Sequence, residues 1–314
     1  MNKKIVVTGG SGFIGTNLLK KLSLNYKNII SNYYTNENFF RVNGVKYLKA
    51  NLENKDDCKK ICQGADLVIM CAANSSGAGV MEKTPLVHLT PNIIMNVNML
   101  EAAYKENVKK FIFISSNTVY PFVDFAVKEN DANFDFYDKY YVVGWMKRFT
   151  EIVCDIYSSK IKNPMNSVVL RPGNLYGPYD KFDDEKSKVI PALIKRVVKK
   201  ENPLKVWGDG NDLKDFLYID DFCEAVIKVI ETECNNEIFN IASGEGITIK
   251  EILSHIINVE NSHNLKIEFD LSKPTMIPKR LIDISKAKKI LGFEPKIKFL
   301  EGIKKTIFWY KENL

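Results

Sequence analysis

Glycine supplies the first chemistry in this 314-residue chain. Gly9, Gly12 and Gly15 recur at every third position within Thr8-Gly9-Gly10-Ser11-Gly12-Phe13-Ile14-Gly15. The apolar run Ile5 to Val7 precedes them and reads as a strand. Phe13 to Leu24 follows and reads as an amphipathic helix. Strand, glycine turn and helix together make a cradle for a dinucleotide pyrophosphate. Glycines let the backbone bend tightly and approach phosphate oxygens, and the helix N-terminus offers unpaired N–H groups and the positive end of its dipole.

The elements that must hold such a turn recur through the first half of the chain. Apolar runs at 4–8, 28–32, 66–71, 110–115 and 166–171 read as strands, and 13–24, 55–62, 91–107, 139–159 and 189–200 as helices. Continuous apolar strands alternating with helices predict an α/β fold, a Rossmann-type doubly wound parallel sheet covered on both faces. Pro172-Gly173 and Gly177-Pro178 then break the pattern. The runs Phe216 to Ile219 and Ile238 to Ile241 read as returns to the sheet. The expected division is 1–175 plus 213–243 for the dinucleotide domain. A smaller C-terminal α/β substrate domain takes 176–212 plus 244–314.

Composition narrows the class. Hydrophobic residues make up 45% of the chain, enough for a large core. No apolar run reaches the roughly 18 residues of a membrane span. Met1-Asn2-Lys3-Lys4 leads straight into the first strand, so the expectation is a cytoplasmic protein without a signal peptide. Cys58, Cys62, Cys71, Cys154, Cys223 and Cys234 contain no Cys-x-x-Cys pair, and His88, His255 and His263 have no metal spacing. Reduced, buried thiols and no metal are expected. The formal charge of +7 comes from lysines spread along the chain, which does not point to nucleic acid.

The spacing Gly-x-x-Gly-x-x-Gly differs from the Gly-x-Gly-x-x-Gly of two-domain dehydrogenases. Thr-Gly-Gly-Ser-Gly-Phe-Ile-Gly resembles the extended short-chain dehydrogenase/reductases of the NAD-dependent epimerase/dehydratase family, which act on nucleotide-activated sugars. The resemblance implies a Rossmann domain for the cofactor and a small domain for the sugar nucleotide. It also implies a homodimer or homotetramer, joined by two helices per subunit that correspond to 91–107 and 139–159.

On the cofactor side the resemblance places Gly9, Gly12, Phe13, Ile14 and Gly15 on the pyrophosphate. Dinucleotide sheets usually end their second strand with an acid that binds the adenosine ribose. Here the strand ends at Asn32, whose amide both donates and accepts hydrogen bonds. No Lys or Arg lies between Asn28 and Asn38 to neutralise a 2′-phosphate, so NAD is expected over NADP. By the same resemblance Asn51 and Leu52 lie near adenine, and Ala72, Ala73 and Asn74 beside the cofactor. Ser115, Lys147 and Pro172 complete the set.

On the catalytic side, Ser115-Ser116-Asn117-Thr118-Val119-Tyr120 resembles the family's Ser-Ser-x-x-Val-Tyr, in which a hydroxyl binds the reacting sugar oxygen. Ser116 falls on that position. The family follows with Tyr-x-x-x-Lys, the Tyr moving a proton while the Lys holds the ribose and lowers the Tyr pKa. Lys147 and Glu151 fit the Lys and the Glu four residues beyond it, but Val143 stands where the Tyr belongs. Three explanations stay open. Tyr140, about 10 Å back along a regular helix, supplies the phenol through an irregular helix start near Gly144; Tyr141 would face away. Alternatively Ser116, Thr118 or water relays the proton. Otherwise the chain binds ligands without turnover.

On the substrate side, Asn174-Leu175-Tyr176-Gly177-Pro178-Tyr179-Asp180-Lys181-Phe182 resembles a segment of GDP-fucose synthases. The likeness continues through 188–194, Val206 to Gly210, Asp215 to Asp221 and Lys279 to Asp283. It implies that Ser116, Asn174, Val189, Lys195, Trp207, Lys214 and Arg280 surround a GDP-sugar. Those synthases invert C3 and C5 with a Cys and a His; Thr118 and Tyr179 occupy those positions here and are too weakly acidic to replace them. Hydride transfer at the sugar remains. The resemblance is then to GDP-heptose 4-dehydrogenases of bacterial surface-polysaccharide pathways, which oxidise C4 of a GDP-manno-hexose or -heptose with NAD. A C4 reductase or C4 epimerase is the alternative enzyme.

Overall fold

The computed structural model describes residues 3–314 apart from 76, 185 and 274; the opening Met1 and Asn2 lie outside the described residues. A seven-stranded parallel sheet forms the frame. Its order is Glu237–Ile241, Asn166–Pro172, Lys110–Ile114, Leu67–Met70, Lys4–Val7, Asn28–Tyr33 and Val45–Lys49. The chain runs outward through three strands, then returns past Lys4–Val7 and builds the other half. That reversal opens a crevice at the carboxyl ends of Lys4–Val7 and Leu67–Met70, where Rossmann sheets bind their ligands.

Both faces of the sheet are covered, as the unbroken apolar runs require. Ile5, Val7, Ile69, Ile112, Ile114, Val168 and Leu170 point to one face, packing with Leu18, Leu22, Val226 and Val229 of the helices Phe13–Asn25 and Ile219–Glu231. Val6, Val68, Met70, Phe111, Phe113 and Val169 point to the other, against the helices Lys55–Cys62 and Thr90–Lys105. Alternate residues of each strand therefore feed two cores.

Three departures from the sequence reading follow from short or partly exposed strands. Val45–Lys49 is a strand at the sheet edge; its Val-Lys-Tyr-Leu-Lys composition gives no continuous apolar run. Phe216–Tyr218 does not return to the large sheet. It pairs with Asn174–Tyr176, three residues against three. Ala126–Val127, from the first half of the chain, joins a four-stranded sheet with Lys279–Ile282, Leu213–Lys214 and Ile247–Thr248. The helices Val189–Val198, Ile249–Glu260 and Phe299–Asn313 pack around these smaller sheets. Among the described residues, no helix is long and apolar enough to cross a membrane.

Candidate active site

The glycine turn is held by contacts that tolerate no side chain. Gly9 has φ +70°, and a Cβ there would lie 2.8 Å from the Ala72 Cα; a Cβ on Gly15 would lie 2.2 Å from the Gly9 carbonyl oxygen. Thr8 Oγ1 accepts the N–H groups of Cys71 (3.1 Å) and Ala72 (3.0 Å), tying the ends of two neighbouring strands together. Phe13–Asn25 starts at Gly12 with no side-chain cap, so its first N–H groups stay open to an anion.

This turn forms one end of a cleft of ≈ 800 Å³. Every sequence-expected cofactor residue lines it: Gly9, Gly12, Phe13, Ile14, Gly15, Asn32, Asn51, Leu52, Ala72, Ala73, Asn74, Ser115, Lys147 and Pro172. A tight glycine cradle, an uncapped helix start and a long cleft together fit a dinucleotide. Asn32 departs in detail from its expected role. Its Oδ1 accepts the Gly9 N–H at 2.9 Å and its Nδ2 donates to the Ala50 carbonyl at 3.1 Å, so most of its amide braces the turn. The surrounding wall is Tyr33, Tyr34, Thr35 and Glu53, without a cation. Arg41 is nearby, but its guanidinium stacks 4.5 Å from the Phe39 ring and 4.8 Å from that of Tyr33.

At the other end of the first half, Gly144 lets the helix Tyr141–Asp155 press against the serine loop; a Cβ there would lie 2.6 Å from the Thr118 carbonyl oxygen. Ser116 caps the short turn Asn117–Val119, its Oγ accepting the Thr118 N–H at 3.2 Å. That bond leaves the hydroxyl proton available to a ligand. Lys147 reaches under the same loop, Nζ donating to the Ile114 carbonyl at 2.7 Å and lying 4.8 Å from the Phe113 ring centre. Desolvation lowers its pKa to about 8, against the opposing pull of Glu151.

Glu151 is a buried hub. Its carboxylate accepts from Ser115 Oγ (2.6 Å), Arg148 Nη1 (3.0 Å), Arg171 Nε (2.9 Å) and Arg171 Nη2 (2.7 Å). Arg171 spends its remaining nitrogen on the Tyr120 hydroxyl and the Glu129 carbonyl. The hub locks together the ends of Lys110–Ile114 and Asn166–Pro172, which carry the serine loop.

Val143 and Tyr140 both line the cleft. The irregularity at the helix start falls at Asp138–Tyr140, a 3₁₀ turn, and the helix is regular through Gly144. The Tyr140 phenol is buried and lies in the field of Arg280; burial raises its pKa well above the ordinary phenol value, against the opposing pull of that guanidinium. Lys147 instead interacts with Glu151, Cys71 and Cys154. The charge that acts on Tyr140 is thus that of Arg280, while Lys147 acts on the groups beneath the serine loop. Tyr141 is exposed, as its helix position requires.

The far end of the cleft holds Asn174, Val189, Lys195, Trp207 and Lys214. Asn174 Nδ2 donates to the Asp215 carbonyl at 2.8 Å. Lys195 pairs with Asp184 at 2.6 Å and Lys214 with Asp212 at 2.9 Å, cations that a diphosphate would compete for. Trp207, 37% exposed, presents an aromatic surface. Arg280 departs from its expectation. It is 1% exposed, and Nη1 and Nη2 donate to the carbonyls of Pro121 (2.8 Å) and Tyr120 (2.9 Å), so it braces the serine loop and does not line the cleft. Tyr179 is also turned away, packed between Phe40 and Trp309.

Sequence reasoning assigned no role to Asp180, although its motif was visible. Asp180 lines the cleft, is buried, and has Oδ2 without a partner; burial raises its pKa. Thr118 Oγ1 is likewise buried and unpartnered in the cleft. Among the described residues all six cysteines are unpaired and no group of side chains has the makings of a metal site.

The profile of the NAD dependent epimerase/dehydratase family matches residues 5–242. A probable GDP-L-fucose synthase of Oryza sativa subsp. japonica is 30% identical over 99% of this chain and 93% of its own length. A GDP-mannose 3,5-epimerase of the same plant is 28% identical over 99% of this chain and 82% of its own. The UDP-glucuronic acid 4-epimerase of Bacillus cereus, solved with UDP-glucuronic acid and NAD, superposes with a TM-score of 0.84 at 27% identity, covering 99% of this chain and 100% of that one.

Proposed function

The chain belongs to the NAD dependent epimerase/dehydratase family, and on that premise we propose that it is an NAD-dependent oxidoreductase of a GDP-sugar. Its substrate on this reading is a manno-configured hexose or heptose, oxidised at C4. The observation that carries the proposal is one cleft whose wall includes the glycine turn, Ser116 with Lys147, and Trp207 with Lys195 and Lys214. NAD, when bound, accepts the hydride. GDP is favoured by the GDP-sugar names of the two plant relatives.

The chain's own residues divide the remaining work. Ser116 donates a hydrogen bond from its free hydroxyl to the reacting sugar oxygen and holds it in place. Lys147, held by the Ile114 carbonyl, directs its charge to the nicotinamide ribose. Glu151 positions both through Ser115 and the strand ends. Lys195 and Lys214 exchange their carboxylate partners for the diphosphate, and Trp207 packs on the base. The proton of the C4 hydroxyl leaves through Tyr140, which passes on its own phenol proton as it accepts, or through Ser116, Thr118 and water.

Val143 favours a second reading, in which the protein holds NAD and sugar nucleotide without turnover. Incubating the purified protein with GDP-mannose and GDP-manno-heptose, and following absorbance of the reduced cofactor, separates the two. Cofactor reduction with either sugar supports the oxidoreductase. Binding of both ligands with no reduction supports the second reading.

A further inference from the structure

A guanidinium stands beside the adenosine end of the cleft and is turned away from it. In Rossmann sheets the end of the second strand meets the ribose 2′ position, with an acid for a 2′-hydroxyl or a nearby Arg for a 2′-phosphate. Here that strand end carries Asn32, a neutral amide already bonded to Gly9 and Ala50, which does not repel a phosphate. Glu53, the carboxylate at this end, is exposed, so solvent and salt screen its charge. Tyr33 follows Asn32 and lines the cleft. Arg41 rests on Tyr33, 4.8 Å from the ring centre, but does not itself line the cleft. A phosphate-binding side chain is thus one aromatic ring away from the place where a 2′-phosphate would sit.

Three rings hold Arg41 where it is. Its guanidinium lies 4.5 Å from the Phe39 ring centre, 4.8 Å from that of Tyr33 and 5.4 Å from that of Tyr47. The rings also pack on one another, Tyr33 with Phe39 at 5.3 Å and Phe39 with Tyr47 at 5.2 Å. Strand pairing builds this box. Ser31 lies opposite Tyr47 in the register, so Tyr33, two residues on, shares a face with Tyr47. The Tyr47 hydroxyl accepts the Val42 N–H at 3.0 Å, which draws the segment carrying Arg41 onto the rings. Among the described residues Arg41 is exposed and has neither a hydrogen bond nor an ion pair, so the aromatic faces are its hold. The neighbouring cation, Lys49, is bound to Glu37.

Resting on the NAD reading above, we propose that this aromatic box is the element that discriminates against a 2′-phosphate. It keeps Arg41 stacked, and Arg41 released from it binds the 2′-phosphate of NADP. A guanidinium offers a planar fork of donors that fits a phosphate at two points. To reach one, Arg41 must leave three rings together. Each cation–ring contact is weak at an exposed site, but all three oppose the move. A ribose with a free 2′-hydroxyl makes no call on the guanidinium. NAD therefore binds with the box intact, and NADP binds well only when the box is broken.

The test is calorimetric titration of the purified protein with NAD and with NADP. The wild-type protein is expected to bind NAD more tightly. Arg41→Ala should leave both affinities unchanged, because a stacked guanidinium touches neither cofactor. Phe39 is the nearest ring and lies outside the cleft wall. Phe39→Ala is expected to strengthen NADP binding by about twofold to fivefold, the weight of one exposed cation–ring contact. NAD affinity should stay unchanged, and this also shows that the variant is folded. The gain should vanish in Phe39→Ala combined with Arg41→Ala. It should also shrink at high salt, as contacts between exposed charges do. NADP affinity unmoved by Phe39→Ala overturns the proposal, and so does a gain that survives the loss of Arg41 or is shared equally by NAD. Weaker NADP binding in Arg41→Ala alone overturns it as well, since the guanidinium would then already be free. Each of these results leaves the NAD reading standing. Tighter binding of NADP than of NAD by the wild-type protein overturns both.

Discussion

Replacing Glu151 by leucine should cost this protein a large part of its stability. Its side chain is fully buried, and Arg171 beside it is 1% exposed. The pair is therefore not screened by solvent, and removing the carboxylate leaves a buried guanidinium without its counter-charge. Such a loss costs about 3–5 kcal/mol. The Arg148 contact is partly exposed and adds only about 0–1 kcal/mol. With a urea slope of about 3 kcal/mol per molar, the unfolding midpoint should fall by about 1–2 M. Urea titration followed by fluorescence of Trp145, Trp207 and Trp309 measures this. A double variant sharpens the argument. Adding Arg171→Met to Glu151→Leu removes the stranded charge, while the Tyr120 hydroxyl and the Glu129 carbonyl lose a donor, at about 1–3 kcal/mol. The double variant should thus be more stable than Glu151→Leu alone. A single-variant loss under about 1 kcal/mol, or a double variant less stable than the single, would refute the reading of Glu151 as a charge-balancing hub.

Lys147 has a pKa lowered to about 8 by burial, so its charge is present below that pH and fades above it. NAD affinity measured by titration should weaken between pH 7 and 9, by up to about tenfold, and Lys147→Ala should bind weakly with no such pH dependence; a flat wild-type profile counts against the ribose role. Tyr140→Phe should lower turnover about 10²–10⁴-fold with cofactor binding intact. A harmless Tyr140→Phe beside a severe Ser116→Ala would move the proton route to the serine loop. Dissociation constants should favour NAD(H) over NADP(H), because Glu53 and no cation line the adenosine end; tighter NADP(H) binding contradicts this. Sedimentation at micromolar concentration should show at least a dimer, since exposed Tyr141 and Trp145 lie on the helix Tyr141–Asp155 and exposed Ile94 on Thr90–Lys105; a monomer sinks the expectation.

Local chemistry was legible in the sequence. The glycine turn works through residues 8–15, whose spacing, strand and helix are all adjacent in the chain, so no distant contact is needed to read it. The two-sided sheet was legible for the same reason, because a strand buried on both faces is apolar at every position. That Ser116, Lys147, Trp207 and Lys214 meet in one cleft followed only from resemblance. No local rule brings together positions almost a hundred residues apart.

What the tertiary structure alone decided is how side chains spend their hydrogen bonds. Arg280 resembles a diphosphate ligand in sequence, but the pairing of Lys279–Ile282 with Ala126–Val127 brings it against the Tyr120 and Pro121 carbonyls, which consume both terminal nitrogens. Asn32 turns back onto Gly9 and Ala50 because the strands on either side of it, Lys4–Val7 and Val45–Lys49, end beside it. Tyr140, buried at the helix start, feels the charge of Arg280, which strand pairing brings to the serine loop. A two-residue strand such as Ala126–Val127 has no pattern to read; its existence depends on a partner more than 150 residues away. Residue types and spacing set which groups could do chemistry, and long-range packing, through competition for each donor and acceptor, decided which of them face the ligand.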